Sequence, residues 1–215
     1  KGKLYISDAP FKLPTAETFS GLQNYIDGLS KTGFLSAFGW SIFITFFSTI
    51  VIVLFTAMTG WYITRSKTKV STSLYFIFVF SMIVPFQMVM FTMSKVANML
   101  NLDNPVGLIV LYIGFGAGLS IFMFSGFVKS IPIDIEEAAL IDGCNPIKTF
   151  FLIVLPLLKP ICITVAILNV MWIWNDYLLP SLVLKSDYKT IPMAVQYLRG
   201  GYGAIDMGAM MAVLV

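Results

Sequence analysis

The sequence predicts an all-α fold, a polytopic bundle of transmembrane helices, and three observations lead there. Of 215 residues, 58% are hydrophobic, and 14 Lys and Arg with 11 Asp and Glu make up 12% of the chain. An ordinary soluble domain carries about a quarter charged residues. Mean hydropathy is +0.86. The charges are also bunched, which leaves intervals longer than the roughly 20 residues that cross a hydrocarbon core as helix. The net charge of +3 is too small to mark a nucleic-acid partner, which calls for a basic patch or stripe. Two cysteines and no histidine exclude a disulfide framework, the common zinc sites and histidine acid–base catalysis.

The spans follow from the distances between charges, because a charge at mid-bilayer costs about 2.5–3.5 kcal/mol on insertion scales. Lys31 and Arg65 are separated by 33 uncharged residues, Lys69 and Lys95 by 25, and Asp103 and Lys129 by 25. Spans are therefore expected at 34–63, 70–94 and 105–128. From Lys159 to Lys185 only Asp176 interrupts the apolar run, so a fourth span is expected at 160–181. Asp176 then falls near the far interface. Residues 207–215 begin a further run and are expected to be a cut-off fifth span. Residues 1–32 are polar and mixed, with Pro10, Pro14, Gly21 and Gly28, and are expected to be an external segment preceding a single membrane domain, 33–215. With no initiator Met at Lys1 and no signal-peptide pattern, the chain reads as a fragment of a longer protein. Arg65, Lys67 and Lys69 crowd the first link, and the positive-inside bias places that link in the cytoplasm. Alternation then places 129–159 on the same side.

That segment holds seven charges between Lys129 and Pro160. Its punctuation predicts two short helices. Pro132 suits a first turn, Asp134 and Glu137 have the spacing of a capping box, and Gly143 can end the helix in a left-handed conformation. Asn145 and Pro146 have the order of an N-cap and first helical residue, and Pro156 limits the second helix. One face of the first helix would carry Ile135, Ala138, Ala139 and Asp142, the other Ile133, Glu137, Leu140 and Ile141. Exposed isoleucine and leucine need a partner surface. An interfacial helix lying on lipid would recruit it with lysine and arginine, whereas Asp134, Glu136, Glu137 and Asp142 favour a basic protein groove.

Within the spans, polar residues tend to face the bundle interior or a water-filled path. Gln87, Asn175 and Asp176 are the candidates for a path. Trp172, Trp174 and Tyr177 give the last two a competing reading as neighbours of an interfacial aromatic belt. Pro85 is expected to kink its helix. Gly114, Gly116 and Gly118 are expected to permit close helix packing.

Glu137-Ala138-Ala139, three residues, Gly143, nine residues, Ile153, one residue and Leu155-Pro156 together resemble the EAA signature of permease subunits of bacterial ABC importers. Asn24-Tyr25, Ile63-Thr64-Arg65, Ile83-Val84-Pro85-Phe86-Gln87, Ile131-Pro132 and Trp174-Asn175-Asp176 resemble the carbohydrate branch, and within it the smaller maltose-type permease. The resemblance covers nearly the whole chain and implies a type I importer permease fold of six spans, of which this sequence would lack the first and most of the sixth. It implies that Glu136, Glu137, Ala138, Ala139, Asp142, Gly143, Ile153, Leu155 and Pro156 dock the chain on cytoplasmic ATPase subunits. Implied partners are two such ATPases, a second permease, commonly a different one in this branch although an identical copy also fits these residues, an extracytoplasmic sugar-binding protein and membrane lipid, with no nucleic acid. The location implied is the bacterial inner membrane. No cofactor would be bound by this chain, since it has no glycine-rich phosphate loop; ATP and Mg²⁺ would belong to the partner ATPase, and this chain would not be an enzyme. An ion-coupled secondary transporter is the alternative, but it would place ionisable groups at the midplane, where this sequence has none. A membrane-embedded enzyme would need a catalytic constellation that the charge-free spans do not offer.

Overall fold

A computed structural model describes residues 23–197. No strand occurs among them, and the helices run in chain order α1 (Gln23–Thr32), α2 (Phe34–Ser66), α3 (Lys69–Ser81), α4 (Phe86–Met99) and α5 (Pro105–Val128), followed by α6 (Asp134–Ile141), α7 (Pro146–Thr149), a π-helical turn (Phe150–Val154), α8 (Leu155–Leu157), α9 (Lys159–Asn175), α10 (Leu178–Val183) and α11 (Ile191–Tyr197). The expected span at 207–215 and residues 1–22 lie outside the described residues.

α2 and α5 are each long and apolar enough to cross a bilayer. At 1.5 Å per residue, the 33 residues of α2 extend about 50 Å, well beyond a hydrocarbon core of roughly 30 Å. α2, α5 and α9 form the centre of the bundle, with α3 packed on α5. The buried stripe of α2 is Ser41, Ile44, Thr45, Ser48, Thr49, Ile52, Thr56, Ala57, Gly60 and Ile63, while Phe46, Phe47, Phe55 and Met58 face outward. Small and hydroxylated residues thus line the helix contacts and bulky ones face away, the arrangement expected where association depends on close packing rather than on expulsion of water.

The expected kink at Pro85 is a full break. α3 and α4 are together long and apolar enough for one span but are bent by 105°. Proline cannot donate to the helical ladder and forces its predecessor out of helical conformation. Accordingly α3 closes with the Met82 and Ile83 amides bonded to Val79 and Phe80, and α4 restarts with the Met88 amide bonded to the Pro85 carbonyl. A second bent pair, 146–157 with α9, turns by 77° at Leu158. The stretch expected at 160–181 is not one helix: α9 stops at Asn175 and α10 begins at Leu178.

Two apolar clusters lie at opposite ends. One joins Ile44, Ile52, Leu108, Tyr112, Ile173 and Leu179. The other joins Ala57, Phe124, Val128 and Val165 of the bundle to Ile131, Phe150, Val154 and Leu158, so the segment after α5 is fastened to the bundle by its own core. At the first end the Lys185 ammonium pairs with Asp103 at 2.8 Å, the Ile191 amide donates to Ser41 at 2.8 Å, and Ser94 donates to the Leu182 carbonyl at 2.7 Å.

The three glycines expected to act alike do not. A Cβ on Gly118 would meet Ser81 Oγ at 2.7 Å and the Phe78 carbonyl at 2.8 Å, and one on Gly116 would meet Asn169 Oδ1 and Ile52 Cδ1 at 2.9 Å, whereas one on Gly114 would meet nothing within 4 Å. Gly118→Ala is expected to force α3 away from α5 and lower stability by about 1–3 kcal/mol. Gly114→Ala is expected to be neutral or stabilising by up to about 1 kcal/mol through helix propensity. Thermal unfolding in detergent distinguishes them, and equal midpoints would contradict this packing.

Candidate functional site

The segment from Lys129 to Leu158 is built as an anchored bracket. Its first helix, α6, ends in a double hydrogen-bonded cap: Gly143 takes φ 82°, its amide bonds the Leu140 carbonyl, and the Cys144 amide bonds the Ala139 carbonyl at 2.9 Å. This is the left-handed termination for which glycine is suited. Asn145 Oδ1 accepts from the Lys148 amide at 2.8 Å and so caps α7. Pro156 does not stop the second helix where it was expected to. The ladder widens into a π-helical turn over Phe150–Val154 and continues to Leu157, a register change that accommodates the amide missing at proline.

The capping box expected from Asp134 and Glu137 does not form. Ile133 already has helical dihedrals and offers no side-chain cap, and both carboxylates are exposed. The rotation of α6 is set instead by Glu136. Its Oε1 receives Arg65 Nη2 at 2.8 Å and Nε at 2.9 Å, and its Oε2 receives Trp61 Nε1 at 2.9 Å. Arg65 Nη2 also donates to the Ile131 carbonyl at 2.9 Å. Glu136 is only 7% exposed. Glu136, which the resemblance implied as a docking residue, is instead turned inward, because burial with three donors holds its carboxylate inside the chain. In such a pair both charges depend on each other, and removal of one partner typically costs about 3–5 kcal/mol.

With Glu136 and Ala139 turned inward, both faces expected to be apolar contribute to one outward surface. Ile133, Ile135, Glu137, Ala138, Leu140, Ile141, Asp142 and Gly143 are exposed, Ile141 at 85%. Ala139 is buried against the bundle, so of the two alanines only Ala138 is presented outward. Farther along, Ile153 and Leu155 are half-buried and Pro156 is exposed.

The polar residues expected in the spans are dispersed. Gln87 is exposed in the first turn of α4, and Asn175 is exposed with its amide folded back onto the Met171 carbonyl at 2.7 Å. Asp176 is structural: Oδ2 receives the hydroxyl of fully buried Tyr112 at 3.0 Å, and Oδ1 receives the Leu178 amide at 2.9 Å, capping α10. None of the three lines the cavity of about 280 Å³ between the end of α3, α5 and α9. That cavity is bounded by Phe115, Gly116, Ser120, Asn169 and Trp172. Asn169 is 6% exposed, and its amide donates to the Val165 carbonyl at 2.8 Å and to Ser120 Oγ at 3.3 Å. Sequence reasoning missed it, although an amide ten residues into the apolar run after Lys159 was the signal that could have found it.

Comparison with known proteins gives a consistent set of relatives. The family described as "Binding-protein-dependent transport system inner membrane component" matches residues 52–215. A probable starch degradation products transport system permease protein of Thermoanaerobacterium thermosulfurigenes is 41% identical over 182 residues, 84% of this chain and 66% of that protein. A multiple sugar-binding transport system permease protein of Streptococcus mutans is 35% identical over 77% of this chain and 61% of the relative. A melibiose/raffinose/stachyose import permease protein of Bacillus subtilis is 32% identical over 72% of this chain and 56% of its own length. The chain thus spans less than two thirds of each of these three proteins.

The Tyr112–Asp176 contact predicts a measurable cost. Asp176→Ala removes a helix cap, worth about 0.5–2 kcal/mol, and leaves a buried hydroxyl unpaired, worth about 1–3 kcal/mol. Thermal unfolding is expected to show a larger loss for Asp176→Ala than for Tyr112→Phe, which removes only the hydroxyl donor and spares the cap.

Proposed function

Because the chain belongs to the family of binding-protein-dependent transport system inner membrane components, we propose that it is a permease subunit of an ATP-driven sugar importer, with oligosaccharides as its substrate class. The names of the relatives support the substrate class: starch degradation products, multiple sugars, and melibiose, raffinose and stachyose. The observation that carries the reading is the 129–159 bracket, fastened inward through Glu136 and an apolar core and presenting an outward surface that is exposed among the described residues. A segment that was merely interfacial would not need so rigid a support.

In this proposal the bracket lies in the cytoplasm, residues 33–215 form the membrane domain and residues 1–32 lie outside. Ile133, Ala138, Leu140 and Ile141 seat in a groove of an ATPase subunit, Glu137 pairs with a cation there, and Asp142 and Gly143 border the contact. Glu136 and Ala139 support the docking surface from behind, while Ile153, Leu155 and Pro156 shape the return to α9. ATP and Mg²⁺ belong to the ATPases, and this chain performs no covalent chemistry. A second permease completes the path, and an external binding protein delivers sugar. Closure of the ATPases moves the bracket, and its shared core with α2, α5 and α9 converts that motion into tilting of the spans. The cavity at Asn169, with Ser120 beside it and Trp172 as an aromatic wall, offers the hydrogen bonds and flat apolar surface that a sugar uses. On this reading Asn169 borders the path, while Gln87, Asn175 and Asp176, which do not line this cavity, are not its contacts.

Uptake by the assembled importer tests both parts. Glu137→Lys is expected to cut transport and binding-protein-stimulated ATP hydrolysis by on the order of tenfold or more, as removal of one partner of an interfacial charge pair does, at normal membrane expression. Asn169→Leu is expected to impair uptake while basal ATP hydrolysis persists. Unchanged transport in Glu137→Lys overturns the docking role, and unchanged uptake in Asn169→Leu removes the path from this cavity.

A further inference from the structure

A second cavity, of about 310 Å³, opens at the bracket end between the C-terminus of α2, the first turns of α3 and the C-terminus of α5. Two lysines line it from different elements, Lys67 after α2 and Lys129 after α5, together with Thr64, Thr72, Tyr75 and Phe76. No carboxylate is among its lining residues, and neither lysine is ion-paired among the described residues. Lys129 Nζ stands 6.0 Å from the centre of the Tyr75 ring. Tyr75 and Lys129 also border a larger, more open groove of about 620 Å³, whose walls include Phe122, Met123, Phe127 and Ile161. A cationic recess is therefore joined to an apolar channel running along the outside of α5.

The backbone adds an independent observation. Lys67 has φ 45° and ψ 25°, a left-handed conformation that disfavours side chains and would suit glycine. Lys67 thus occupies a turn whose dihedrals suit glycine, so the turn itself does not require the lysine side chain.

We propose that this cavity binds one anionic phospholipid, with its phosphate between Lys67 and Lys129 and an acyl chain in the groove beside Phe122 and Phe127. The shape distinguishes a lipid from a free anion: a soluble phosphate would use the lysines and leave the apolar channel without purpose. The position also fits: α2 and α5 are long and apolar enough to cross a bilayer, so their ends are expected to fall where a headgroup layer meets the hydrocarbon. Juxtamembrane lysines each contribute attraction to anionic lipid, and two converging on one phosphate give a site rather than a diffuse preference.

The test is lipid retention by the full chain, purified from nanodiscs containing equal phosphatidylglycerol and phosphatidylcholine and read by native mass spectrometry. Retained phosphatidylglycerol is expected to exceed phosphatidylcholine by about twenty-five-fold, from about fivefold for each of the two lysines. Lys67→Gly with Lys129→Gln is expected to bring the ratio near one. Lys67→Gly alone is expected to reduce enrichment while its thermal midpoint holds or rises, because glycine suits the turn; this separates lipid loss from misfolding. Lys69→Gln, which removes an exposed charge on the same link outside the cavity, is expected to leave enrichment unchanged. Equal enrichment in the double variant, or an equal loss in Lys69→Gln, overturns the site. Saturable binding of inorganic phosphate to lipid-free protein, abolished in the double variant and without lipid enrichment in the parent, assigns the lysines to a soluble anion and overturns the lipid.

Discussion

Arg65 and Glu136 meet 71 positions apart in the chain, and the orientation of the exposed loop depends on that contact. A carboxylate held on a short helix would ordinarily face water. Here Trp61 and Arg65, one turn apart at the end of α2, supply donors to both of its oxygens, and Arg65 also takes the Ile131 carbonyl at the entry to the loop. The pair thus fixes two points of the segment. Its consequence is the rotation of α6: once Glu136 and Ala139 face the bundle, Glu137, Ala138 and Ile141 must face away. The exposed surface of the loop is set by a residue that does not itself belong to it.

Much of this was legible in the residues. Charge-free intervals located α2 and α5 because the cost of a buried charge is large and local. Gly143, Asn145 and Pro146 announced their turn because each acts through its own backbone. The failures share a cause. Glu136 and Glu137 are adjacent and chemically alike, and only the distant Arg65 distinguishes them. The small residues of α2, from Ser41 to Gly60, carried a packing stripe that was hidden by uniform hydropathy, since in an apolar solvent both helix faces read as apolar. Pro85 signalled a deviation without its size, because the angle depends on where α4 finds its partners.

The polar residues of the spans divide by the same principle. Asp176 stood out as the lone charge in its run, yet it serves Tyr112 and the start of α10. Asn169 was inconspicuous, yet it lies beside Ser120 at a cavity that Gly116 leaves room for. Burial, not rarity in the sequence, separates them: Asn175 is exposed and bonded to its own helix, while Asn169 is buried at the meeting of three elements.

The central claim is that the Arg65–Glu136 pair makes the loop rigid with α2, so that force applied to the loop reaches the spans. Sugar transported per ATP hydrolysed, measured in the reconstituted importer, tests it most directly. Glu136→Ala and Arg65→Ala are each predicted to leave ATP hydrolysis in place and to lower this ratio severalfold, with the double variant no worse than either single one, as expected for residues acting through one contact. A ratio unchanged by either substitution would contradict the account.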